Sequence, residues 1–162
     1  MSENRYYRLL LNPFHLLSLG FGSGLAPKAP GTFGTAAAIP LCWLLQQAGL
    51  SVYGIVTVVA CIAGIWLCGY TARAMGEDDH PAIVWDEIAG FMIAMFAVPF
   101  TWYNLLIAFV LFRFFDVVKP GPIGWCDRNL HGGFGIMADD LIAGLASALL
   151  LHGGYSVINL LG

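Results

Sequence analysis

The sequence predicts an all-α, polytopic membrane bundle with short or re-entrant hairpins and a polar site on its cytoplasmic face. Three observations lead there. The composition is 59% hydrophobic and 10% charged, with mean hydropathy +0.76, against about 45–50% apolar and about 25% charged for a soluble domain. Long runs carry no charge at all. The charges that do occur gather in a few short segments. The length allows one domain over residues 1–162, and a formal net charge of −3 gives no argument for a nucleic-acid partner.

The elements follow from the gaps between charges. Residues 1–11 read as an N-terminal interfacial segment. Asn12, Pro13 and His15 interrupt the first apolar run, so no signal peptide is expected. Thr35 to Ala72 is charge-free and too long for one span, since about 20 residues cross a bilayer core. It divides at QQAGLS (Gln46–Ser51), which predicts a hairpin of helices near 35–48 and 51–72, the first short and carrying Pro40. Ile88 to Phe112 is the second such run. Its middle, VPFTWYN (Val98–Asn104), predicts a turn with Trp102 and Tyr103 at a headgroup interface, hence two short arms, with one tilted span as the alternative. Leu141 to Leu161 is the third, one helix with a soft break at His152–Gly154; residues 145–162 form its end. Apart from the extreme N-terminus, the charges lie at Lys28, between Arg73 and Glu87, or between Arg113 and Asp140. If both runs are hairpins, these segments emerge on one face, and their basic residues make it cytoplasmic. Cys42, Cys61, Cys68 and Cys126 form no C-x-x-C pair, so neither disulfides nor zinc are expected.

The polar segments carry the chemistry. Asn12–Gly34 holds five glycines and three prolines, which argues against regular helix. Glycines can turn backbone N–H groups toward an anion, and Lys28 adds a point charge. In Arg73–Gly90, Glu77, Asp78 and Asp79 look like a solvated turn. Asp86 and Glu87 instead abut an apolar run, where ionised carboxylates need a partner or a metal. In Phe112–Asp140, Arg113, Asp116 and Lys119 recur at intervals of three and present plus, minus, plus on one helix face before Pro120 ends it. Asp127, Arg128 and His131 follow, and Gly132, Gly133 and Gly135 allow close approach to a ligand. Asp139 and Asp140 open the last helix, about 100° apart around it, so one can bind a metal while the other orients a neighbour. Asp86 and Asp140 each have a glycine four residues on, Gly90 and Gly144, which would let the two helix starts approach.

Six acids (Asp86, Glu87, Asp116, Asp127, Asp139, Asp140) therefore offer hard oxygen ligands, and Arg113, Lys119, Arg128 and Lys28 offer cations for phosphate oxygens. Such a set suits Mg²⁺ with a phosphate ester. Glu87, Asp139 or Asp140, and Asp127 or Asp116 are the expected ligands. His131 serves as proton donor to the leaving alkoxide or as a structural hydrogen-bond donor.

The motifs NPFHLL, GFGSGLAPKAPGTFGT, IVWDEIAGF, FRFFDVVKPGPI and DRNLHGGFGIMADDLIAG run from Asn12 to Gly144. Through them the chain resembles the phosphatidylglycerophosphatase A family of bacterial inner-membrane lipid phosphatases. The resemblance implies a Mg²⁺-dependent enzyme with an all-helical core, acting on the phospholipid phosphatidylglycerophosphate to leave phosphatidylglycerol. It carries over onto the acids of VWDE, FFDVVKP, DRNLHGG and MADD. The D-x-x-D-G-x-x-A-R run of CDP-alcohol phosphatidyltransferases is absent, as are the phosphohistidine and D-x-D phosphatase signatures. The alternative from another class is a small transporter with carboxylates lining an ion path, which requires acids at several depths.

Overall fold

The computed structural model describes residues 8–161; of the expected interfacial segment, residues 1–7 lie outside the described residues. The order is α1 (Pro13–Ser18), a 3₁₀ segment (Gly20–Leu25), α2 (Pro30–Gln47), α3 (Leu50–Met75), α4 (Trp85–Ala94), α5 (Trp102–Val118), α6 (Pro122–Asn129) and α7 (Gly132–Leu161), with no strand among the described residues. Among the described residues, two helices are long and apolar enough to cross a membrane, Leu50–Met75 and Gly132–Val157. At about 1.5 Å per residue, either exceeds the ~30 Å of a bilayer core. Along α3, Ile55, Val58, Val59 and Ile62 point outward, an arrangement that lipid stabilises and water does not.

Both expected hairpins form. Gly49, at φ +96°, separates α2 from α3, and Pro40 lies inside a continuous α2. The turn between α4 and α5 is fixed from three directions: Gln46 and Asn104 donate to the carbonyls of Val98 (2.7 Å) and Pro99 (2.8 Å), and His152 Nε2 lies 3.0 Å from the Phe96 carbonyl oxygen. Exposed Trp102 and Tyr103 flank that turn. The N-terminal segment departs from expectation, because Asn12–Gly34 contains α1, the 3₁₀ segment and the first turn of α2. Asn12 caps α1 through the Phe14 amide, with Pro13 at the first helical position. His15 then docks α1 on α3, hydrogen-bonded to Thr71 at 2.9 Å and stacked on Tyr70.

The last helix also begins earlier than expected. It starts at Gly132 rather than at Asp139, and it runs through His152–Gly154 without a break. Glycine has poor helix propensity, but packing overrides it here. A Cβ on Gly133 would strike the Ile65 carbonyl of α3, and one on Gly135 would strike Leu130. Gly133 thus serves contact between helices rather than ligand approach.

The pairing of Gly90 with Gly144 is realised. A Cβ on Gly144 would collide with the Gly90 carbonyl, and one on Gly90 would lie 2.6 Å from the Asp140 carbonyl oxygen. α4 and α7 therefore touch backbone to backbone. Gly144→Val is expected to destabilise the protein by about 1–3 kcal/mol through overpacking, read as a lower unfolding midpoint in detergent. An unchanged midpoint would mean the two helices can separate at little cost.

Candidate active site

All three polar segments converge on one pocket. It is lined by Ala29, Pro30 and Gly31 at the start of α2, Asp79, Pro81 and Ile83 from the α3–α4 connection, and Asp86 and Glu87 from the first turn of α4. Arg113, Asp116 and Lys119 at the end of α5 and Ile136, Asp139 and Asp140 of α7 complete it. Its volume is about 280 Å³. With about 30 Å³ per water in the liquid, that holds a phosphoryl group with several waters, and leaves acyl chains outside.

Two kinds of carboxylate share the pocket. One oxygen from each of Asp86, Glu87 and Asp140 lies within 4.8 Å of the others. Asp86 is 7% exposed and Asp140 3%, and Asp86 Oδ1, Glu87 Oε2 and Asp140 Oδ1 are buried without a hydrogen-bond partner. Burial of an ionised carboxylate without a partner is costly. Burial pushes Asp86 well above the usual carboxylate range, and the Glu87 charge adds to this. Burial also pushes Glu87 up to about 8, with Asp140 and Asp116 adding to the rise and Arg113 opposing it. This trio is the donor set a hard divalent cation fits: oxygen ligands, converging, with lone pairs unused.

The remaining acids hold cations. Arg113 forms an ion pair with Asp116 and lies 3.9 Å from Glu87. Lys119 lines the same pocket from just past the last helical residue of α5. It caps the helix in the left-handed region (φ +48°), and its ammonium bonds Asp127 at 2.6 Å and also Asp139. Burial works against that charge, but the two carboxylates outweigh it and hold Lys119 protonated. Asp139 and Asp140 thus divide as their helical offset requires, one to Lys119 and one to the trio. Ala29 is left-handed too, at φ +48°. Two non-glycine residues in that region, each costing of order 1–3 kcal/mol, sit at this one pocket.

Four expected site residues do not line this pocket, and the first of them, Asp127, reaches it only through Lys119. Lys28 is exposed outside the lining, although its neighbours Ala29–Gly31 form part of it. Arg128 is exposed on α6, with its guanidinium near Gly124. His131 lies in an adjoining small basin with Asp78, Asp79, Asp127 and Asp139, not against the trio. The glycines of the 3₁₀ segment do not form an anion nest at the pocket. Gly24 packs on the Ala82 carbonyl and Gly20 on Val84. Conversely, Asp79 belongs to the pocket rim and not merely to a solvated turn.

Residues 16–155 match the family described as phosphatidylglycerophosphatase A. The chain is 48% identical over 142 residues to the phosphatidylglycerophosphatase A of Escherichia coli strain K12, covering 87% of this chain and 83% of that protein. It is 46% identical over 155 residues to the phosphatidylglycerophosphatase A of Haemophilus influenzae, covering 93% and 95%. No solved structure matches.

Proposed function

The chain belongs to the phosphatidylglycerophosphatase A family and is a phosphatase, and from that premise we propose a Mg²⁺-dependent hydrolysis of the terminal phosphomonoester of phosphatidylglycerophosphate. The products are phosphatidylglycerol and phosphate. The enzyme works in the bacterial inner membrane with its pocket on the cytoplasmic side.

The observation that carries this reading is the buried trio Asp86, Glu87 and Asp140, whose unpartnered oxygens converge beside Arg113. These three residues would hold the cation, which when bound polarises the phosphoryl group and lowers the pKa of water. Asp116 keeps Arg113 oriented toward the pocket, and Asp127 with Asp139 does the same for Lys119. Both cations are thereby positioned before substrate arrives, which favours charge developing on the phosphoryl oxygens. Lys119, held protonated, acts as a cation and not as a base. The outward apolar faces of α3 and α7 keep the lipid chains in the bilayer while the headgroup enters. The acids share one pocket instead of recurring at several depths, which favours an enzyme over an ion path.

The test is phosphate release from phosphatidylglycerophosphate in detergent, with and without Mg²⁺. Release is expected only with the cation. A folded protein that releases no phosphate with any divalent metal would overturn the reading.

A further inference from the structure

The pocket faces the carboxylate trio with a feature of opposite electrostatic sign. α2 is an 18-residue helix whose amino end, Ala29–Gly31, lines the pocket. Pro30 has no N–H. The amides of Thr32 and Phe33 turn back to the Ala29 carbonyl at 2.9 and 3.4 Å. The Gly31 amide donates to no acceptor among the described residues. A Cβ at Gly31 would collide with Glu87 Oε1 and lie 2.8 Å from Arg113 Nη1, so the side chains of the pocket reach right up to this backbone. The second, independent observation lies in the same pocket: Asp86 and Asp140, both more than nine-tenths buried, each with an unpartnered oxygen.

Converging carboxylate oxygens without partners favour a cation over protons. A free amide at a helix amino end, beside a guanidinium, favours an anion. A phosphate that bridges to a divalent cation satisfies both at once. We infer that the Gly31 N–H, at the amino end of α2 and beside Arg113, is the subsite for a non-bridging oxygen of the phosphomonoester. This rests on the phosphatase reading and adds to it a backbone donor that no side-chain substitution can reveal. A Cβ at this position would push aside the ends of Glu87 and Arg113.

Gly31→Ala cannot decide the matter, because it also displaces Glu87 and Arg113. The decisive change replaces Gly31 by glycolic acid in cell-free synthesis, which turns one amide into an ester and removes only the N–H. The matched control places an ester at Phe33, whose N–H bonds within the helix. Inorganic phosphate is the probe, its affinity read by ³¹P titration in detergent with Mg²⁺ and by inhibition of phosphate release. A hydrogen bond to a charged group is worth enough to predict a loss of about tenfold or more in phosphate affinity for the Gly31 ester. The Phe33 ester is expected to stay within about twofold of wild type. The Mg²⁺ concentration for half-maximal response is expected to be unchanged in both.

Equal phosphate affinity in wild type and the Gly31 ester would overturn the inference, as would equal losses in the two esters. If wild type binds phosphate and the Gly31 ester does not, but no lipid phosphate is released, the anion subsite stands and the phosphatase reading falls. Wild type that binds no phosphate overturns the inference, and the phosphatase reading falls with it only where lipid phosphate is not released either.

Discussion

Asp140→Asn is expected to reduce turnover to below about one per cent of wild type while the protein stays folded and its cation-free form becomes more heat-stable. The first half follows from the trio. Replacing one of three converging carboxylates by a neutral amide weakens the hold on a cation that contributes several kcal/mol to charge stabilisation. Each 1.36 kcal/mol is a factor of ten in rate, so a hundredfold loss is a lower bound. The second half follows from burial. Asp140 is 3% exposed, with one oxygen unpartnered and two further carboxylates within 4.8 Å. Without a cation, that arrangement opposes folding, and an amide of the same shape relieves the repulsion. Phosphate release and the unfolding midpoint, both measured in detergent, check the two halves separately. Near-wild-type release would remove Asp140 from the site. Lost release together with a lower midpoint would make Asp140 a structural residue.

Much of this arrangement was legible in the sequence, and the reasons are specific. Charge gaps located α2, α3 and the α4–α5 hairpin, because a charge within hydrocarbon is costly enough to be avoided over long stretches. The same parity brought three polar segments together. The 100° offset between consecutive helical residues separated Asp139 from Asp140 before any contact was visible. Several of the failures arise because glycine has several uses. Gly20, Gly24, Gly133 and Gly135 looked like ligand-approach positions, yet they meet Ala82, Val84, Ile65 and Leu130. Only Gly31 meets pocket side chains, and nothing local distinguishes it from the others. Lys119 lies in the same pocket as Arg113 and Asp116, although its left-handed backbone places it past the end of the helix. Asp79 was missed because a turn's exit direction depends on what it packs against.

Raising the pH from 6 to 8 is expected to lower the Mg²⁺ concentration for half-maximal phosphate release by about a hundredfold or more. In the cation-free protein, burial pushes Glu87 up to about 8, helped by the charges of Asp140 and Asp116, against about 4.3 in an unfolded chain. Between those values the folded protein keeps a proton that the unfolded chain has released. The Glu87 contribution to stability is therefore favourable at low pH and declines as pH rises through that window. A cation must displace the proton, so its apparent affinity rises about tenfold per pH unit until Glu87 is already ionised. The Mg²⁺-induced rise in unfolding midpoint should grow over the same range, a readout that needs no turnover. Asp116→Asn removes one charge that holds Glu87 protonated, so its affinity curve should level off at lower pH than wild type. A Mg²⁺ requirement independent of pH between 6 and 8 would mean that the cation does not compete with protons at Glu87, and the trio would then not be its seat.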